Sequence, residues 1–194
     1  VWNEIKTEPP FYHSMTDELK QAILHAAELM AISARTAPKA RGMDAVDVRV
    51  VKEEDLERLA EEMERVASET GMSFFRRDAE SVRMSDAVLL VSVDASEPKG
   101  LDCGGCGYGT CEEFREAVRK SGRGYRGPSC VLYVMDLGIA VGSAVKTASM
   151  LNVDNRVMYS VGVAALRLGM VKGNLALGIP LSATGKSIYF DRKR

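Results

Sequence analysis

Apolar residues recur at helical spacing early in the chain, where Leu19, Ala22, Ile23, Ala26 and Met30 fall on one face of a helix that runs to about Thr36. Ser14, three residues before Asp17, resembles a capping box and would start it. Ala37-Pro38 ends it, because the proline ring also disfavours helical geometry at the preceding residue. A basic loop, "KARGMD", leads into the alternating stretch "AVDVRVV", residues 45–51, which predicts a strand. From Glu54 to Thr70 the set Leu56, Leu59, Ala60, Met63 and Val66 forms a second helical stripe, with the glutamates expected on a solvated opposite face. "AVLLVSV", residues 87–93, is an unbroken apolar run of strand length and predicts a buried strand.

Past Cys111 the pattern predicts a short polar helix to about Lys120, the glycine-rich "GRGYRG", then "PSCVLYVM" and a helix from Asp136 to Leu151. The small residues Ala140, Gly142, Ser143, Ala144 and Ala148 would let another helix or a flat ligand approach that helix closely. A strand "RVMYSVG", a short helix "VAALRLG" and a strand "NLALGI" follow, before a basic tail. Helices mixed with strands throughout predict an α+β domain of layered α/β/α build. At 194 residues the chain has room for one domain, at most with a small inserted module. Residues 1–14 read as an extension ahead of a natural start at Met15.

The charge balance, 26 Lys+Arg against 27 Asp+Glu, offers no electrostatic reason to bind nucleic acid or an anionic membrane. The apolar run from Cys130 to Val145 falls short of the ~20 residues a bilayer span needs and contains Asp136, so it reads as buried core. With no basic-then-apolar leader near Val1, a reducing, cytoplasmic setting is the default expectation. The two histidines, His13 and His25, pair with no nucleophile, so no hydrolytic constellation is visible.

All four cysteines fall in one window, Cys103, Cys106, Cys111 and Cys130, spaced Cys-x2-Cys-x4-Cys-x18-Cys. Two disulfides, a structural zinc and an iron–sulfur cluster compete for them. A reducing compartment and a sizeable core disfavour disulfides. All-cysteine zinc sites usually draw on two Cys-x2-Cys knuckles, and here the second is missing. A [4Fe–4S] cube uses a compact run of cysteines plus a remote fourth, as found here. Gly104, Gly105, Gly107 and Gly109 suit a backbone that must wrap such a cube with its N–H groups turned inward.

"CGGCGYGTCEEF" resembles the cluster-binding module of corrinoid iron–sulfur proteins and of an Rnf-type electron-transport subunit, and each of the four cysteines matches a ligand position of that motif. "GRGYRG", residues 122–127, satisfies G-x-G-x-x-G but lacks the strand before and helix after that a dinucleotide site requires. It reads as a spacer that brings Arg119, Lys120, Arg123 and Arg126 near the cysteines.

"AISARTAPKARGMDAVDVRVV", "DLGIAVGSAVKTASMLNV", "YSVGVAALRLGM" and "LALGIPLSATG…FDRK" resemble, in order, segments of nitroreductase-like flavoproteins. The chain from about Met15 is similar to ferredoxin domain-containing proteins that combine the two parts, notably at "ARTAPKARGMD", the cysteine run and "GIPLSATGK". The resemblance implies a nitroreductase-like mixed sheet with packed helices, carrying residues 95–130 as an iron–sulfur insertion in a single domain, 15–194. It implies FMN beside the cluster, with Arg35, Lys39 and Arg41 in the first loop and Arg192 or Lys193 in the tail as phosphate contacts. Tyr159, Ser160 and Gly162 match the strand that faces the flavin. The family's arginine-rich opening motif is missing ahead of the first helix, where only Lys6 stands.

These readings imply an FMN-linked iron–sulfur oxidoreductase, a homodimer that exchanges electrons with a partner protein or a small-molecule acceptor. The alternatives are a flavin-free electron-transfer or redox-sensing protein and a zinc-stabilised interaction module.

Overall fold

The computed structural model describes residues 16–190. Helix α1 spans Asp17–Thr36 and is capped by Thr16, whose hydroxyl accepts from the Leu19 amide at 3.4 Å, a contact of about 1 kcal/mol. The expected cap, Ser14, lies outside the described residues, as do the rest of the extension and the tail beyond 190. Strand β1 (Val46–Val51), helix α2 (Glu54–Thr70) and strand β2 (Ala87–Val93) fall within a residue of their expected positions. The acidic face of α2 has one exception. Glu62 is buried, where it accepts from Arg65 and Arg167. Between α2 and β2 lies α3 (Phe74–Arg83), whose three apolar contacts, Phe75, Ala79 and Val82, are too few to stand out as a periodic pattern.

The second half departs further from the sequence pattern. Helix α4 is Cys111–Glu116, and the glycine-rich stretch is a hairpin of β3 (Lys120–Ser121) and β4 (Arg126–Gly127) rather than a loose spacer. Tyr125 pins that hairpin by donating its hydroxyl to the Ala176 carbonyl. Helix α5 runs Val131–Met150, starting five residues earlier than Asp136, because Tyr133, Asp136, Leu137, Ala140, Val141, Ala144 and Ala148 form one continuous buried stripe. Ala140, Ala144 and Ala148 therefore face this chain's own core, while Gly142 is exposed. The helix is long and apolar enough to cross a bilayer by length and composition, with mean hydropathy 1.4; here it packs on α1 and the sheet and buries Asp136.

Strand β5 is Asp154–Asn155, helix α6 is Tyr159–Arg167 and strand β6 is Leu175–Ser182. "RVMYSVG" is thus mostly helix, its strand character reduced to a bridge between Met158 and Gly178. Val161, Val163, Ala164 and Ala165 are all buried, a helical segment enclosed on most sides, which alternation alone cannot distinguish from a strand.

Four strands form an open sheet in the order β1-β2-β6-β5, every pair antiparallel among the described residues. Ala87, Leu89, Val91 and Val93 of β2 face one core with α1 and α5. Val88 and Leu90 face a second core with α2, α3 and α6. This three-layer α/β/α arrangement explains the unbroken apolar run of β2, which is covered on both sides. Burying side chains such as Ile23 and Met30 stabilises each layer by about 1.5–3 kcal/mol apiece.

Candidate metal centre

The cysteines lie on the excursion from the end of β2 to the start of α5. Both ends of that excursion meet at Ala95, which donates its amide to Asn174 Oδ1 at 2.7 Å and accepts at its carbonyl from the Cys130 amide at 2.8 Å. Cys130 is thereby fixed, buried, just ahead of α5, and the chain that leaves β2 must loop back past it. Cys106 and Cys111 are half-buried and Cys103 is exposed; all four thiols are free. All four line a single small hollow, together with Pro98, Lys99, Leu101 and Tyr108 among others.

Local sequence shapes the loop. Gly104 and Gly107 take positive φ, 68° and 89°, and the Gly107 amide donates to the Gly104 carbonyl at 3.0 Å, so the chain turns between Cys103 and Cys106 in a conformation that favours glycine. Gly105 lies so close to α5 that a Cβ there would meet Val131 Cγ1 at 2.7 Å. That approach seats the loop beside Cys130. Thr110 caps α4 by accepting from the Glu113 amide at 3.2 Å, and Glu113 accepts in turn from the Gly109 amide at 2.8 Å. Cys111 consequently opens the helix. Asp102 closes the loop: its carboxylate accepts from the Cys111 amide at 2.6 Å, and its own amide donates to Cys111 Sγ at 3.4 Å. The amide of Cys111 holds the Asp102 carboxyl below the usual carboxylate range.

Behind the hollow is a buried ion pair that the sequence pattern did not single out. Lys99 and Asp136 are 0% and 3% exposed and pair through Nζ and Oδ2. Lys99 also donates to the Ala40 carbonyl at 2.8 Å and lies 4.3 Å from the centre of the Tyr133 ring. Asp136 Oδ1 accepts from the Ala40 amide at 2.9 Å. The one available signal was a carboxylate inside an apolar helix, since such a group has to find a cation when buried. Burial, then Cys130, Asp136 and Asp94, push the Tyr133 phenol up, with Arg41 opposing them.

The residues matched to flavin contacts do not gather in one place. Arg35 pairs with Asp44 at 2.7 Å and donates to the Val46 carbonyl at 2.9 Å. Lys39 donates to the carbonyls of Arg35 and Ala37, covering the end of α1. Arg41, at φ 61° in the short 3-10 turn Ala40–Gly42, donates to the Lys99 carbonyl at 2.5 Å. Tyr159, Ser160 and Gly162 belong to α6 on the other face of the sheet. Tyr159 packs edge-on to Tyr125, Ser160 donates to Asp78 Oδ2 at 2.6 Å, and Gly162 abuts the Ala176 carbonyl. Arg192 and Lys193 lie outside the described residues. Of the basic residues expected near the cysteines, Arg119 is committed to the Pro128 and Ser96 carbonyls and lies over Phe114, whereas Lys120, Arg123 and Arg126 are exposed.

Four cysteine thiols on one hollow are a donor set that suits an iron–sulfur group. Zn–S bonds of about 2.3 Å in a tetrahedron bring the sulfurs to roughly 3.8 Å of one another. A cube holds its four thiolates further apart, one at each corner, around a common hollow.

Comparison with known proteins agrees with this build. Residues 126–192 match the family described as "Uncharacterized protein containing a ferredoxin domain", and residues 99–125 match a model described as "Putative Fe-S cluster". A protein of Archaeoglobus fulgidus is 47% identical over 176 residues, 91% of this chain and 95% of that one. The chain belongs to this ferredoxin-domain family.

Its fold is that of the nitroreductases. A nitroreductase with bound FMN from Desulfitobacterium hafniense superposes with a TM-score of 0.53 at 20% identity, over 89% of this chain and 80% of that one. A nitroreductase from Lactococcus lactis in complex with nicotinic acid gives 0.57 at 12%, over 89% and 82%. A BluB-like flavoprotein from Clostridium difficile gives 0.54 at 15%, over 95% and 88%.

Proposed function

We propose that this chain is an electron-transfer protein in which Cys103, Cys106, Cys111 and Cys130 hold one [4Fe–4S] cluster. The observation that carries the reading is the convergence of four free thiols on one hollow, three from a glycine-rich loop and the fourth from the start of α5. A cluster bound there supplies reversible one-electron chemistry. The chain's own residues divide the remaining work. Cys130 anchors the site to the core, Asp102 and Thr110 set the position of Cys111, and the exposed loop around Cys103 is where an electron partner can approach. We place the protein in the reducing cytoplasm, where those thiols stay free.

A second reading, an FMN-linked oxidoreductase, is supported by FMN in the Desulfitobacterium nitroreductase of like fold. It is the weaker reading because Arg35, Lys39 and Arg41 already hold protein carbonyls or Asp44. We further propose a homodimer through the apolar outer face of α1 and α5, where Ile32 and Met135 are 58% and 54% exposed. Anaerobic reconstitution with iron and sulfide tests the first reading: broad absorption toward the blue, bleached by dithionite, supports it, and a colourless protein contradicts it. Titrating the loaded protein with FMN tests the second, which fails if high-micromolar FMN does not bind.

A further inference from the structure

We propose that the buried Lys99–Asp136 pair sets the reduction potential of the group held by the four cysteines, with Lys99 favouring the more negative, reduced form and Asp136 attenuating that effect. This rests on the cluster reading above. Lys99 is one of the residues that line the hollow, and Asp136 is not. The pair is therefore a fixed pair of charges beside the hollow that the cysteines line.

Four contacts hold that pair still: Lys99 to the Ala40 carbonyl, Asp136 to the Ala40 amide, the Tyr133 ring beside the ammonium, and Arg41 on the Lys99 carbonyl. Stability alone does not call for it, since well-packed apolar side chains of similar volume commonly serve a fold as well as a buried ion pair. Enclosure gives it an electrostatic reach that surface charges lack, because neither charge is exposed to water or screened by salt. When one electron is added from an external reductant, the group gains one negative charge. The ammonium stabilises that charge and the carboxylate opposes it, so the two side chains act on the potential with opposite signs.

The test is a potentiometric titration of the anaerobic, cluster-loaded full chain, followed by the electron paramagnetic resonance signal of the reduced centre. Lys99→Met should lower the midpoint potential and Asp136→Asn should raise it. The double variant Lys99→Met/Asp136→Leu should fall between the two, and the separation should persist at high salt. Opposite signs from two substitutions at one ion pair are not the signature of loosened packing, which would move both variants the same way. If Lys99→Met fails to fold with Asp136 left unpaired, Asp136→Asn must still lie above the double variant. Equal potentials, or shifts of one sign, overturn the proposal while leaving the cluster reading intact. A wild-type chain that takes up no iron and sulfide overturns both.

Discussion

Asp102 and Cys111 exchange two hydrogen bonds across nine residues of chain, amide to carboxylate in one direction and amide to sulfur in the other. This double link closes the cysteine loop before any ligand enters it. Asp102→Ala should therefore raise the alkylation rate of Cys111 in the ligand-free protein several-fold and lower its iron retention, with Asp102→Asn between the two. Equal alkylation rates in all three proteins would show that the loop is held by other means. The Asp102 carboxyl should titrate below the ordinary carboxylate range in carbon NMR, because the Cys111 amide favours its charged form. The link is thus present above the ordinary carboxylate pKa and lost as pH falls through the depressed value.

Gly105 and Gly109 look alike in sequence but differ in what a methyl group would meet. At Gly105 a Cβ runs into Val131 at 2.7 Å, whereas at Gly109 it meets the end of the Glu113 side chain at 3.3 Å. Gly105→Ala should cost about 1–3 kcal/mol in thermal or urea unfolding, the range for overpacking a close contact. Gly109→Ala should cost about 0.5 kcal/mol or less. Similar losses at both sites would mean that the loop is not seated on α5.

How much of this was legible depended on whether a residue's role is local. Strand β2 and helix α2 show in the sequence because burial on both faces, or on one helical stripe, repeats within a few residues. The four cysteines show because their spacing carries chemistry, and the expected glycine conformations occur at Gly104 and Gly107. Helix α6 showed only in its second half, "VAALRLG"; its first turn, Tyr159 to Gly162, read as strand, since a short element enclosed on most sides loses its polar face and with it the period. Arg41 and Lys99 are legible only in three dimensions: a basic residue that caps a carbonyl 58 residues away reads, in sequence, like any surface charge.

Burial pushes the Tyr189 phenol up, with Asp154 and Asp86 adding to it against the bond with Ser85. The folded state therefore keeps this proton where the unfolded chain releases it near pH 10. Its contribution is complete below about pH 10 and is lost as pH rises through the raised folded value. Tyr189→Phe should be less stable at neutral pH by about 0.5–1.5 kcal/mol, from the lost hydrogen bond to Ser85. Its stability should also fall less steeply than wild type above about pH 10. Parallel alkaline limbs would assign the titration elsewhere, with half-buried Tyr125 the first candidate.

The proposed dimer makes its own demand on solution behaviour. Light scattering should give about twice the 21.1 kDa chain mass. Ile32→Lys with Met135→Lys should shift it to one chain without changing the melting temperature of the monomer core. A wild-type monomer at high concentration would remove the dimer and leave the cysteine site untouched.

Counting iron and acid-labile sulfide in protein purified without oxygen tests the central claim most directly, alongside Cys130→Ser. The account predicts about four of each per chain, the stoichiometry of one cube. It also predicts that Cys130→Ser lowers that content as severely as Cys106→Ser, although Cys130 stands 19 residues beyond Cys111. Stoichiometric zinc without sulfide in iron-replete material, or a Cys130→Ser protein with a full complement of iron, would contradict it.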